Sequence, residues 1–172
     1  MNADYIRFLL QYNYDMHQRV WACIDHLSDE QFVEETDYSL RSVRNQMVHV
    51  MGVDERWLAR VRDEPLPARP DAADFPTRAA VRAYWDAVEG RMRAYGSAVD
   101  DAALQVVCQF DMPHRGGRKA TLVWQILAHV VNHGTDHRAQ VLALLHHFGA
   151  PTLEQDLILY QWDTPASSQP RA

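Results

Sequence analysis

Apolar residues recur three and four positions apart along four stretches of the chain, a spacing typical of amphipathic helices. The first stretch predicts a helix of about 25 residues that ends near Ser28 and Asp29. Its apolar positions are Ile6, Leu9, Leu10, Met16, Val20, Ile24 and Leu27. The second predicts a helix that begins at about Ser42, a favoured N-cap residue, and ends before the Pro65-Leu66-Pro67 segment. Its apolar positions are Met47, Val50, Val53, Trp57 and Val61.

Two further helices are predicted beyond a Pro- and Asp-rich loop at residues 63–76. Thr77 can cap the third helix, whose apolar positions are Val81, Tyr84, Trp85, Val88, Met92, Tyr95 and Val99. The fourth is expected to open at Thr121 and to stop at Gly149, which Pro151 follows two residues later. Between these helices, residues 104–111 alternate weakly between apolar and polar and precede Gly116-Gly117, so a short extended hairpin is predicted there.

Four long helices joined by short intervals predict an all-α fold, a four-helix bundle whose one elaborate connection is the hairpin segment at about residues 100–120, before the fourth helix. Residues 153–163 are expected to add a short apolar helix or a lid. The chain contains no internal repeat, so we expect residues 1–172 to form a single domain. Its small, polar last residues, from about 164 to 172, are expected to be frayed.

Composition and charge narrow the class of protein. With 172 residues and 47% hydrophobic composition, the chain can bury a sizeable core without disulfides or a structural metal. The formal net charge is −6 and no run of Lys or Arg occurs, which argues against nucleic acid or an anionic membrane surface as a partner. Cys23 and Cys108 form no CxxC pattern, and neither a signal peptide nor an apolar stretch of about 18 residues is present, so a cytoplasmic location is expected.

The fourth predicted helix contains two histidines four residues apart, His133 and His137, within the segment NHGTDHRAQ at residues 132–140. Four residues on a helix correspond to about 400° of rotation, so both rings leave the same face about 6 Å apart along the axis. Both also fall on the inward apolar stripe of this helix. Burying neutral imidazoles without partners costs on the order of several kcal/mol, so a shared metal ion is the first hypothesis.

His49, on the second predicted helix, offers the third ligand, because it lies four residues before Val53 and eight before Trp57 and so projects near the bundle interior. Three neutral histidines are a ligand set that zinc enzymes use when a fourth position stays open for water or substrate. Zinc is the default ion, although nickel, cobalt or iron would accept the same nitrogens. The alternative is that these are ordinary core histidines, hydrogen-bonded to helix carbonyls or to nearby polar side chains.

Four neighbours of the pair have two interpretations each. His129 is either a fourth nitrogen or supporting group, or a histidine packed near the bundle edge. Asp136 either orients a ligand imidazole or is solvated, and Arg138 and Gln140 either contact substrate or form structural hydrogen bonds. The other histidines are expected to be structural, with two of them capping the end of the fourth helix: His17, His26, His114, His146 and His147.

Two segments together resemble the DinB-like (damage-inducible) metalloprotein family: NHGTDHRAQ at residues 132–140 and MVHVMGVDERWL at residues 47–58. Members share a histidine followed by an acidic-Arg-Trp segment on the second helix and an NHxxxHRGQ-like motif on the fourth. The resemblance covers about residues 3–162 and places the family's metal ligands on His49, His133 and His137. The chain departs from the pattern at Ala139, where the family usually has Gly, and a methyl group there is expected to affect only a close helix approach.

The resemblance implies an up-down-down-up four-helix bundle, commonly a homodimer, with a divalent ion held by three histidines. It also implies a thiol-dependent transferase or isomerase, in which the metal activates a low-molecular-weight thiol such as glutathione, bacillithiol or mycothiol, acting on a small-molecule substrate. Two alternatives remain open. One is a non-catalytic, metal-binding, stress-associated dimer; the other is a metal-dependent hydrolase, which needs a general base that the sequence does not identify.

Overall fold

A computed structural model describes residues 2–164. Within this range the chain is mostly helical, with a small two-stranded sheet. The four long helices are α1 (Ala3–Ile24), α3 (Val43–Val61), α4 (Arg78–Ala98) and α6 (Val123–His147), and the three short ones are α2 (Asp29–Val33), α5 (Asp101–Leu104) and α7 (Leu157–Asp163). None of these helices combines the length and the apolar character that crossing a membrane requires.

The long helices surround one hydrophobic core. Helix α1 packs against α4 and α6, and α3 packs against the same two helices, so the cyclic order is α1, α6, α3, α4. The apolar stripes predicted from sequence face inward in each of them, with the exception of Val53 in α3, which is not part of the core. Large side chains that are almost fully buried fill the centre, among them Trp21, Trp85, Phe32, Met47 and Met92. Helices α3 and α6 are therefore neighbours along their length.

Side-chain caps begin two of the long helices where the sequence predicts them. Ser42 accepts a hydrogen bond from the backbone N–H of Asn45, and Thr77 accepts one from Ala80. At the end of α1 the prediction is wrong in one respect. Ser28 is the N-cap of the short helix α2 and forms a capping box with Gln31, so it starts a helix and α1 already ends at Ile24.

The predicted hairpin is present between α5 and α6. Strand β1 (Val107–Met112) pairs antiparallel with β2 (Gly117–Leu122), with Cys108 opposite Thr121. Gly116 and Gly117 both have positive φ angles, 82° and 87°, which the tight turn requires. The prediction that Thr121 opens the fourth helix is wrong, because Thr121 pairs in the sheet and α6 starts at Val123. The prediction of extended structure from residue 104 is also wrong, because Leu104 ends α5.

The last described helix, α7, packs back onto α1. Helix α6 ends at His147 and Gly149 adopts a φ of 71°, which confirms the predicted stop. The short helix expected in residues 153–163 is α7, whose Tyr160 is buried against Tyr12 at a ring-centroid distance of 5.3 Å. Most of the segment that the sequence predicts to be frayed, residues 165–172, lies outside the described residues.

Gly134 lies at a close contact between α6 and α1. A Cβ atom at this position would overlap Asn13 Oδ1 and lie 3.0 Å from His17 Nε2 and 3.1 Å from Arg138 Nη1. The glycine therefore makes room for buried polar groups of α1 directly beneath the histidine pair. Ala139, where a methyl group was expected to affect a close helix approach, is exposed, so that expectation is wrong and the close approach lies five residues earlier.

Gly134→Ala is expected to destabilise the protein by about 1–3 kcal/mol, because the added methyl overpacks a site that is already full. Gly90→Ala is the matched control, since Gly90 is exposed in the middle of α4 with no atom within 4 Å of an added Cβ. That change should stabilise the protein by roughly 0.5–1 kcal/mol through helix propensity. Urea unfolding of both variants measures the difference, and a Gly134→Ala protein as stable as wild type would contradict this packing.

Candidate metal site

The structure brings together the three histidines that the sequence selects. One ring nitrogen each from His49, His133 and His137 can be chosen so that all three lie within 4.8 Å of one another. The ring centroids are 4.3 Å apart for His133 and His137, 4.7 Å for His49 and His137, and 5.3 Å for His49 and His133. Helix α6 supplies two rings from one face and α3 supplies the third. Such a cluster could hold a metal ion.

All three imidazoles are held in their neutral form. Burial lowers the pKa of His133 to about 3, helped by repulsion from His137, His49 and His129. Burial also lowers the pKa of His49 to about 4, with further repulsion from His137 and Arg69. For His137 burial again lowers the pKa, although the nearby Asp136 carboxylate opposes this. At neutral pH each ring therefore carries a lone pair that a cation can accept.

A glutamine on α3 orients His137. The Nδ1 atom of His137 lies 2.7 Å from Gln46 Oε1, and the Gln46 amide donates in turn to Gln140 Oε1 at 2.9 Å and to Ser39 Oγ at 3.1 Å. Ser39 Oγ also donates to Gln140 Oε1. Because an amide oxygen only accepts, Nδ1 of His137 carries the proton and Nε2 is left as the free donor to a metal.

Gln46 is a residue that sequence reasoning missed. It is fully buried, three residues before His49 on the same helix, and Gln140 stands three residues after His137. A polar amide at the start of an otherwise apolar stripe was the available signal, because a buried amide needs partners. The chain of hydrogen bonds identifies Gln140 as a structural partner of this amide, one of its two predicted roles.

His133 presents a further sign that a ligand fits here. Its Nδ1 atom is buried and has no hydrogen-bond partner among the described residues. A buried imidazole nitrogen without a partner is costly, and a bound cation would satisfy a nitrogen of this ring. The donor set, three neutral nitrogens on rigid helices, suits a divalent ion of borderline softness such as zinc.

The remaining neighbours have distinct roles. The ring of His129 packs in a T-shaped arrangement with Trp57, with the ring centroids 5.4 Å apart. Its centroid lies 5.7 Å from that of His133, and His129 is outside the three-nitrogen cluster. Asp136 is exposed. Arg138 is 1% exposed and donates to Asn13 Oδ1 at 2.5 Å, to Gln155 Oε1 at 3.0 Å and to Thr135 Oγ1 at 2.9 Å, which is the structural role among its two predicted ones.

Of the histidines expected to be structural, His17 has the most unusual environment. It is 1% exposed, packs against Trp85 with the ring centroids 4.6 Å apart and the rings tilted by 52°, and neither of its ring nitrogens has a partner among the described residues. Burial and the nearby Arg138 charge lower its pKa well below the usual range. His146 and His147 lie in the last turn of α6, as predicted.

A cavity of about 270 Å³ opens beside the histidines. His49 and His133 form part of its wall, and the other lining residues come from α3, the loop after it, β1 and α6: Gly52, Val53, Arg56, Trp57, Arg60, Arg69, Pro70, Met112 and His129. Its mixture of apolar side chains and a few convergent polar groups is typical of a small-molecule site.

Comparisons with known proteins agree with this architecture. A sequence profile of the DinB family matches residues 1–172. The chain belongs to the DinB family. The solved structure of a DinB family member from Shewanella denitrificans has a similar fold, with a TM-score of 0.51 and 14% sequence identity over 89% of this chain and 85% of that one. A search of curated proteins found no match. Membership in the DinB family confirms the resemblance seen in the sequence.

The pKa values of the histidines predict how stability depends on pH in chelator-treated protein. Their pKa values in the folded protein lie below the ordinary value near 6.5, so the unfolded chain binds more protons. The corresponding stability is present above about pH 6.5 and is lost as the pH falls towards the folded values of about 4 and 3. The free energy of unfolding should therefore be lower at pH 5 than at pH 7.5.

Urea unfolding at both pH values measures this dependence. His133→Gln should weaken it, whereas His146→Gln, an exposed histidine on the same helix, should leave it unchanged. A pH dependence as steep in His133→Gln as in wild type would show that the His133 ring is not held neutral by the fold.

Proposed function

We propose that this DinB family protein binds one divalent metal ion through His49, His133 and His137 and uses it to activate a small thiol, as a metal-dependent thiol S-transferase or isomerase. The observation that carries the proposal is the convergence of three neutral imidazole nitrogens within 4.8 Å beside a cavity of small-molecule size. Resemblance to DinB-like enzymes that use glutathione, bacillithiol or mycothiol supports the thiol. Zinc is the ion we expect first, with nickel, cobalt or iron as alternatives.

With three protein ligands, a bound ion would keep a coordination position free for water or a small molecule. Since imidazoles bring no negative charge, a bound divalent ion would keep its full charge and supply the Lewis acidity that favours the thiolate form of a thiol. The chain's own residues hold the donor atoms in place, with Gln46 fixing the orientation of His137 through the hydrogen bond at 2.7 Å. Val53, Trp57 and Met112 offer an apolar wall to the substrate.

The proposal extends to the assembly of the protein. We expect residues 1–172 to act as one domain, a four-helix bundle of the DinB-like type, and to function as a cytoplasmic homodimer. The cyclic packing of the four long helices is consistent with such a bundle.

Metal analysis of protein purified without a His tag tests the ligand set. Wild-type protein should contain about one divalent ion per chain, and His137→Ala should lose most of it because two imidazoles bind far more weakly than three. His146→Ala is the matched control, since it removes an exposed imidazole from the same helix. Equal metal content in wild type and His137→Ala would refute the ligand assignment.

Thermal unfolding with and without chelator separates a catalytic ion from a structural one. The hydrophobic core consists of apolar side chains from all four long helices and does not depend on the three histidines, so we expect chelation to lower the melting temperature only slightly. Unfolding on chelation would instead favour the non-catalytic, metal-binding dimer, because a structural ion contributes on the order of 10 kcal/mol.

A cobalt-substituted sample tests the activation of a thiol. Its visible spectrum should change when a small thiol is added, and an unchanged spectrum with every thiol tested would rule out thiol activation.

A further inference from the structure

The cavity beside the histidines has a strongly positive lining. Three arginines contribute to it, Arg56, Arg60 and Arg69, whereas no Asp or Glu is present among its described lining residues. None of the three arginines forms an ion pair with any residue in the range 2–164. This concentration of charge is notable in a chain whose net charge is −6. A concave site of one charge sign attracts a ligand of the opposite sign.

Two of the arginines are fixed in position by the protein. The Arg60 guanidinium lies 4.6 Å from the ring centroid of Trp57 and 5.1 Å from that of Phe110, and it donates to the Arg56 carbonyl at 3.2 Å. Arg56 donates to the carbonyl of Pro67 and so ties the loop after α3 to the helix. Burial and repulsion from neighbouring arginines lower the pKa of both groups, as expected for cations without an acidic partner.

Arg69 is different because it forms no hydrogen bond or ion pair with the described part of the chain. Its position follows from the contact between Pro70 and Gly52. A Cβ atom at residue 52 would lie 2.5 Å from Pro70 Cγ and 2.6 Å from Pro70 Cδ, so only glycine lets the loop approach α3 this closely. Gly52 lies one turn of α3 from His49, and its contact with Pro70 holds the neighbouring Arg69 at the cavity.

The following inference rests on the proposed function. We propose that the thiol or the electrophile carries an oxyanion group, either a carboxylate or a phosphate, and that Arg69 binds this group with the support of Arg56 and Arg60. The guanidinium group binds such oxyanions through paired hydrogen bonds. The cavity of about 270 Å³ limits the ligand to a small molecule.

Isothermal titration calorimetry of the metal-loaded protein tests this with glutarate, its neutral analogue glutaramide, and inorganic phosphate. We expect glutarate or phosphate to bind at least about tenfold more tightly than glutaramide, because charge-assisted hydrogen bonds are the stronger ones. Arg69→Gln should remove most of this preference, and Arg69→Lys should restore part of it. Arg115→Gln is the matched control, since it removes the same charge from an exposed turn of the hairpin.

The anion whose affinity falls in Arg69→Gln identifies the bound group as a carboxylate, if it is glutarate, or as a phosphate. Equal affinity of wild type and Arg69→Gln for both anions, or no preference of wild type for either anion over glutaramide, would overturn the inference. The titrations are repeated on chelator-treated protein, where Arg69-dependent binding supports the inference whatever the metal analysis shows. A protein that binds metal and thiol but is indifferent to Arg69 would refute the inference alone, whereas Arg69-dependent anion binding by a protein that takes up no divalent ion would refute the proposed function alone.

Discussion

The packing of α3 against α6 is the contact on which the candidate site depends, because it places His49 against His133 and His137. The rings belong to the interiors of two long helices, so their separation is set by a packed core rather than by a loop. The same core keeps the imidazoles neutral, since burial is the largest cause of each lowered pKa. Helix packing therefore determines both the geometry and the protonation state of the donor set.

Polar side chains link α6 to both of its neighbouring helices, α3 and α1. Beside the three histidines, here called the triad, Gln46 and Gln140 link α3 to α6 through their side-chain amides and orient His137. On the side of α6 that faces α1, Arg138 donates to the side chain and the carbonyl of Asn13 and so links these two helices. Gly134 makes this second link possible, since any side chain there would occupy the space that the Asn13 amide fills. The segment at residues 132–140 of α6 thus carries the two donor histidines on one face and, on another, the arginine that links α6 to α1.

The long helices and the triad could be predicted from sequence because both depend on local spacing. Periodic apolar residues and N-caps predicted α3 and α4, and a spacing of four residues paired His133 with His137. Gln46 and Arg69 were missed because their roles arise from contacts between segments distant in sequence. The position of Arg69 rests on the approach of Pro70 to Gly52, which no periodicity reveals. Thr121 was misassigned because a residue favoured at N-caps is also favoured in strands, and cross-strand pairing with Cys108 decided between them.

Family membership and the structure support a metal site more directly than they support a reaction, because a fold hosts many chemistries while donor atoms select an ion. The central claim is therefore the coordination of one ion by three imidazoles. X-ray absorption spectroscopy of the zinc-loaded, untagged protein measures this directly. We predict a first shell with three imidazole nitrogens at about 2.0 Å and one exchangeable ligand that sulfur replaces when a thiol is added. A shell with fewer than three imidazoles, or one built from carboxylate oxygens or cysteine sulfur, would contradict the account.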